Sequence, residues 1–268
     1  MRRNIGHPNR PVHDRNHVGA SATLPHLPLS VLWRFALRAN LYPSKVRLDA
    51  SARAFIPRLN GPVLDVGAGE QPYRRYLKNG DDYVSMDLSE GRGAEIVGSV
   101  LDIPLESDSF EGIICTEVIE HVDDPQSAIR ELLRVSKPGG LLYLTAPMSW
   151  GLHYEPHDYF RYTKYGLSSM LEREGFEVLE IRQIGGVFVM SWARMSDVLV
   201  TLLYRAGFPL KYLVGNRLRI SILSLIAFPF VALVDAVATL ADAIIRGSGN
   251  DALGWVVLAQ KDGESVDK

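Results

Sequence analysis

Val63-Leu64-Asp65-Val66 is an aliphatic run interrupted by one acid, and it ends in Gly67-Ala68-Gly69-Glu70. The simplest chain path for that pattern is a buried strand feeding a glycine turn that opens a helix. Neither glycine has a Cβ, so the backbone can take unusual φ values and let a ligand come close. In an open α/β sheet such a turn lies at the carboxyl end of a strand, where ligands bind. A structural turn without a ligand is the plainer alternative, and the downstream segments bear on the choice.

Tyr83–Asp87 reads as a second strand ending in an acid, with Asp87 18 residues beyond Gly69. A carboxylate there can accept hydrogen bonds from two vicinal ribose hydroxyls. Gly98–Pro104 carries another acid, Asp102, followed by apolar Ile103. Phe110–Cys115 reads as a third strand running into Thr116–Val122. A helix with Ala128, Leu132, Leu133 and Val135 on one face follows, stopped by Lys137-Pro138-Gly139-Gly140. Leu141–Pro147 is a fourth strand, Tyr165–Gly175 a helix with a glycine stop, Glu177–Ile181 a strand and Gly254–Gln260 the last strand.

In this order the segments resemble a class I S-adenosylmethionine-dependent methyltransferase of the small-molecule type. The resemblance spans about residues 62–261 and is densest from 63 to 176. It implies a Rossmann-like, doubly wound α/β fold whose seven-stranded sheet is mostly parallel with an antiparallel last strand. It implies S-adenosylmethionine as the cofactor, with Asp65, Gly67 and Gly69 holding the amino-acid part, Asp87 the ribose and Asp102 with Ile103 the adenine. Ala68 and Leu88 belong to the same implied set, and Glu117 follows the strand that faces the sulfonium end. A nicotinamide oxidoreductase is the main rival for the turn, but its G-x-G-x-x-G fingerprint needs glycine where Pro72 stands. A second rival is a non-catalytic cofactor-binding scaffold of the same fold.

The stretch Leu152–Thr163 packs His153, His157, Glu155, Asp158, Arg161 and three tyrosines into twelve residues after the fourth strand. That is too polar for a core loop, and it starts at the ligand-binding edge of the sheet. In methyl transfer the cofactor brings the leaving group, so the protein orients the nucleophile and removes its proton. His157 suits the base, with Asp158 as alternative or orienting partner, and His153 completes the candidate catalytic set. Arg161 suits a substrate carboxylate or phosphate. The plainer reading is an Asp158–Arg161 salt bridge at a helix start.

Glu117, Glu120 and His121 have spacing i, i+3, i+4 and would share a face if helical. With His157 they would offer two carboxylates and two imidazoles to a divalent metal. This is similar to two metal-assisted groups of O-methyltransferases, the ubiquinone-pathway catechol enzymes and the small-RNA 3′-terminal 2′-hydroxyl enzymes. A metal there would lower the pKa of the acceptor hydroxyl. The same Glu-x-x-Glu-His pattern recurs in metal-free members, so the primary expectation includes no metal.

The net charge is −2 over 268 residues, so no global basic field attracts nucleic acid. The lone Cys115 excludes an intrachain disulfide and a cysteine-rich zinc site. Residues 1–29 read as a disordered basic tail without a secretory signal, and 30–60 as a helical cap with helices at Ser30–Asn40 and Ser44–Leu59. Residues 61–181 are the expected core, 182–252 a helical insertion, 253–261 the final core strand and 262–268 a tail. The insertion is apolar, with a helix over Val187–Ala206 and no charge from Ile220 to Val234. That run is shorter than the ~20 residues that span a bilayer, and Pro229 breaks it. The expectations are burial against the core, a homodimer, peripheral membrane contact through 187–245, or a lid over a lipid-linked acceptor. The expected location is cytoplasmic, with or without membrane association.

Overall fold

The computed structural model describes residues 43–78, 82–90, 93–206, 230–245 and 251–263. Seven strands form one sheet: β1 (Val63–Val66), β2 (Tyr83–Asp87), β3 (Ile96–Val97), β4 (Phe110–Thr116), β5 (Ser136–Pro147), β6 (Phe176–Ile184) and β7 (Gly254–Lys261). Their spatial order is β3-β2-β1-β4-β5-β7-β6. β1 pairs parallel with β2 and β4, and β4 pairs parallel with β5. β7 alone runs antiparallel, between β5 and β6. The strand order reverses between β1 and β4, which opens a crevice beyond their carboxyl ends.

The strands bury both faces, and period-two alternation sorts their side chains into two layers. Leu64, Val66, Ile113, Cys115, Leu142 and Leu144 face α2 (Pro125–Val135) and α3 (Lys164–Glu174). Val63, Ile114, Tyr143, Val256 and Leu258 face α1 (Pro43–Phe55) and the insertion. α2 begins with Asp124, whose carboxylate accepts from the Ser127 N–H, and Pro125 sits in its first turn. It buries Ala128, Ile129, Leu132 and Val135, while Leu133 is only partly buried. α3 is capped by Thr163 and ends at Gly175, whose φ of 109° suits the glycine stop read from the sequence.

Three expectations need adjustment. α1 ends at Phe55 and tightens into a 3-10 turn over Ile56–Arg58, because Pro57 cannot donate to a continuing helix. Lys137–Gly140 does not stop α2. Ser136 does, its N–H and Oγ both bonding to the Leu132 carbonyl, and Lys137–Gly140 is a register irregularity inside β5. Thr116–Val122 is not an α-helix: Glu117 has φ 53° and only Ile119–His121 turns, as a 3-10 helix.

The insertion contributes α4 (Val187–Ala206) and α5 (230–244). The expected basic tail over 1–29 and helix over 30–40 lie outside the described residues. Among the described residues no helix is long and apolar enough to cross a membrane. Cys115 is buried and unpaired.

Candidate functional site

The turn after β1 takes its shape from β2. The N–H groups of Gly67 and Ala68 donate to the Met86 carbonyl, and the Gly69 N–H donates to Asp87 Oδ2 at 2.9 Å. Asp87 Oδ1 accepts from the Leu88 N–H at 2.7 Å, so this carboxylate also orders the end of its own strand. Gly67 has φ +72°, and a Cβ there would sit 2.4 Å from Val118 Cγ2. Leu88 projects beside this acid with 75% of its surface exposed.

Asp65 lies under the turn. Tyr83 donates to its Oδ2 at 2.6 Å, and Oδ1 is buried without a partner. Burial pushes its carboxyl up to about 7, the Tyr83 hydrogen bond opposes this and the charge of Asp87 adds to it. An acid titrating near 7 when folded and near 4 when unfolded holds a proton that the unfolded chain lacks in between. Stability should therefore fall as pH rises from about 4 to about 7 and then level off. Asp65→Asn is expected to narrow the gap between melting temperatures at pH 5 and pH 8. Calorimetric melts at both pH values check this, and an unaltered gap would place the proton elsewhere.

Ile103 is fully buried, and its N–H donates to Glu131 Oε2 at 2.9 Å. Arg134 holds the same carboxylate and donates to the Ile103 carbonyl. Asp102 closes a small bridge with Ser99. The Ile103 backbone is thus tied to α2 rather than left open toward an adenine.

β4 delivers Glu117 to the other lip of the crevice. The Thr145 hydroxyl donates to Glu117 Oε1 at 3.0 Å, and the Glu117 N–H donates to the Thr145 carbonyl. Burial pushes this carboxyl up to about 7, against the pull of the Thr145 hydrogen bond and the Arg161 charge. Tyr73, hydrogen-bonded to Thr116, has its phenol pushed up by burial and by the nearby Glu117 and Asp65 charges.

Glu120 is completely buried, and neither of its oxygens has a hydrogen-bond partner. Burial and the neighbouring Glu117 drive its carboxyl well above the usual range. His121 Nε2 stands 3.7 Å from Glu120 Oε1, while its Nδ1 lies 2.7 Å from the His157 carbonyl. A carbonyl can only accept, so Nδ1 carries a proton. Ligand atoms of Glu120, His121 and His153 all lie within 4.8 Å of one another. The trio differs from the metal set drawn from spacing. Glu117 points to Thr145, and the His157 ring turns to the Tyr159 hydroxyl at 3.0 Å.

The loop after β5 is tied together by Arg161. Its Nε donates to the Trp150 carbonyl, its Nη1 to Asp158 Oδ1 and the Phe160 carbonyl, and its Nη2 to Asp158 Oδ2 and the Gly151 carbonyl. Asp158 also accepts from the His153 N–H, and with Arg161 it is held down to about 2. At neutral pH Asp158 is a paired carboxylate, poorly suited to take a proton. His153 is half-buried and lowered by burial. Exposed Tyr154, Tyr159 and Phe160 line the outside of the loop.

The structure thus brings Asp65, Gly67, Ala68, Gly69, Asp87 and Glu117 to one crevice, and His153, Asp158 and Arg161 to the adjoining loop. His121 and Glu120 belong between them. Both were legible as a spacing, but Glu120's burial without a partner was not.

The methyltransferase domain family matches residues 64–144. A ubiquinone biosynthesis O-methyltransferase of Xanthomonas oryzae pv. oryzae is 46% identical over 117 residues, covering 37% of this chain and 48% of its own. A demethylmenaquinone methyltransferase of Clavibacter sepedonicus is 29% identical over 109 residues, covering 35% and 44%. The chain therefore spans about half or less of the length of these curated relatives. Among solved structures, the [4+2]-cyclase SpnF aligns with a TM-score of 0.51 at 19% identity, covering 82% of this chain and 81% of that one. A SAM-dependent methyltransferase from Archaeoglobus fulgidus gives a TM-score of 0.51 at 15% identity, covering 85% and 99%. At these identities the likeness to the solved structures is one of fold.

Proposed function

We propose that this chain, which belongs to the class I S-adenosylmethionine-dependent methyltransferases, transfers a methyl group to a hydroxyl oxygen of a small-molecule, saccharide or lipid-linked acceptor. The observation that carries the reading is the crevice at the strand-order reversal. There a glycine with no room for a Cβ, a buried carboxylate oxygen without a partner, and an acid at the end of β2 stand together. These residues fit a nucleoside cofactor that carries an amino acid and positive charge. Asp65 and the Gly67–Gly69 turn would hold the amino-acid part, and Asp87 with Leu88 the ribose.

When bound, S-adenosylmethionine supplies an activated methyl and its own leaving group. The chain's residues do the rest. Carboxyls of Asp65 and Glu117 that sit near 7 alone would ionise beside a cation, since opposite charge favours the charged form. The ring of His157, on the loop that borders the crevice, accepts the acceptor's proton in this reading. Arg161 holds the loop backbone so that this ring keeps its place. Oxygen as the nucleophile rests on that base and on the printed name of the Xanthomonas relative. The fold alone does not carry the reading, because a [4+2]-cyclase shares it.

Calorimetric titration with S-adenosylmethionine, S-adenosylhomocysteine and NAD tests the reading. Micromolar binding of the first two and none of NAD is expected. Folded protein that binds neither sulfur compound would overturn it.

A second reading, metal assistance, is favoured by one observation: the buried partnerless Glu120 carboxylate beside His121 and His153. One carboxylate and two imidazoles suit manganese, iron or zinc better than magnesium, and a buried charge is tolerated when it binds a metal. The His121 Nδ1–H to the His157 carbonyl is the kind of outer hydrogen bond that orients a metal-binding imidazole. Manganese at 100 times its Kd would stabilise the protein by about 2.7 kcal/mol, read as a rise in melting temperature. Glu120→Gln should remove that rise and, without metal, melt no lower than wild type. An equal rise in the variant would show that the ion binds elsewhere.

A further inference from the structure

The two insertion helices are built inside out. On α5 the outward positions are Phe230, Leu233, Val237, Leu240 and Ile244, spaced three and four residues apart, with Leu233 64% and Ile244 70% exposed. Such spacing normally marks the buried stripe of a helix. The charges of α5 face the other way. Asp235 pairs with Arg47 of α1 at 3.2 Å. Asp242 accepts from the N–H groups of Gly186, Phe188 and Val189 at 2.8, 3.0 and 3.2 Å, and so caps the start of α4. Val231 and Ala238 complete the inner face. α4 repeats the arrangement: Val189, Trp192 and Ala193 pack inward, while Phe188, Met195, Val198 and Leu202 are exposed.

Both acids of α5 are thus consumed in docking, and the face turned to solvent carries apolar side chains on two neighbouring helices. Exposed apolar surface of this extent marks an interaction site. We propose that this face lies on an anionic lipid surface, as a monotopic docking face rather than a span.

Charge chooses this occupant over a second copy of the chain. From Val198 to Val234 the sequence holds Arg205, Lys211, Arg217 and Arg219 and no acid. Arg205 lies in the last turn of α4 and the other three cations lie in 207–229, the sequence that links α4 to α5, so a charge of +4 is covalently joined to the helices that carry the face. Association of two copies would join two chains that both carry this cationic segment, and like charges repel. Anionic headgroups attract them, at about 1 kcal/mol per cation near the surface, while the apolar stripe meets the acyl boundary. The face also borders the candidate site, since the Arg194 guanidinium of α4 lies 5.8 Å from the Trp150 ring at the start of the acceptor loop. The proposal stands apart from methyl transfer and would survive its failure.

The test is flotation or sedimentation of the full chain with 100-nm vesicles of phosphatidylcholine alone or with phosphatidylglycerol. Binding to the mixed vesicles that weakens with salt, and at least tenfold weaker binding to neutral ones, is expected. The pair Val237→Glu and Leu240→Glu changes outward side chains only. It should cut binding at least tenfold while leaving the far-UV spectrum and S-adenosylmethionine affinity unchanged. Equal binding by the variant would overturn the proposal, because the stripe would not be the contact. A wild-type dimer by light scattering that ignores vesicles and falls to a monomer in the variant would overturn it in favour of a second copy. A monomer that ignores both vesicle types would overturn it too.

Discussion

Gly67→Val is expected to abolish S-adenosylmethionine binding by calorimetry, with affinity down at least 100-fold. Two costs fall together. The residue sits at φ +72°, where a β-branched side chain is strained by about 1–2 kcal/mol. Its Cβ would also stand 2.4 Å from Val118 Cγ2, an overpacking worth about 1–3 kcal/mol. The turn can relieve both only by moving, and its position is fixed by the Met86 carbonyl and the Asp87 carboxylate, which would lose their partners. Because 1.4 kcal/mol is about tenfold in affinity, displacement of the turn suffices for the expected loss. A melting curve on the same sample separates local displacement from unfolding. Retained affinity in a folded variant would remove Gly67 from the site.

The strands of the crevice were legible because each is a short apolar run closed by an acid or glycine, and those residue types have one physical use at a strand end. Val63–Val66 and Tyr83–Asp87 appear where the sequence predicts them. The Glu117–His121 segment was legible only conditionally, as a shared face if helical, and the condition is not met. Spacing of i, i+3, i+4 fits a helix face, but nothing in the letters shows that Glu117 adopts a positive φ and breaks that face. Arg161 was readable as a charge and not as a hub, because its partners are the carbonyls of Trp150, Gly151 and Phe160, which no side-chain pattern reveals. Asp235 and Asp242 were visible as the only charges of their run, but their inward direction was not, because their partners are Arg47 and backbone N–H groups far off in sequence.

Arg161→Ala is the second large effect. All five N–H donors of this guanidinium are engaged, and Asp158, almost completely buried, depends on it. Removing one member of a fully buried pair typically costs about 3–5 kcal/mol, and this pair, with the Arg161 side chain 24% exposed, belongs at the lower end of that range. A destabilisation of that size is expected in urea unfolding at pH 7, together with at least a 100-fold loss of turnover. Affinity for S-adenosylmethionine should change by less than about threefold, since Arg161 makes no hydrogen bond to a crevice residue and reaches Glu117 only through its charge. Arg161→Lys should rescue little, because an ammonium cannot reproduce the planar fork. The pH dependence has a definite sign. The carboxyl of Asp158 is depressed to about 2, so its stabilising share is present above about pH 4 and lost as pH falls toward 2. The gap between wild type and Arg161→Ala should therefore narrow in that acid range, keeping the share that comes from the three backbone carbonyls. Full turnover in the alanine variant would show that the loop does not serve the acceptor.

The place of β7 bears on how this chain is born. It is the last strand in sequence, yet it fills the slot between β5 and β6. During synthesis β5 is finished at Pro147, but its partner begins only at Gly254. For roughly a hundred residues of elongation, at about 5–20 residues per second, the nascent sheet carries an open edge whose unpaired backbone groups await a strand not yet made. That interval, on the order of 5–20 s, ends only after the apolar insertion has emerged, so the open edge and the apolar insertion are exposed at the same time. Chaperone occupancy during translation should peak over that window.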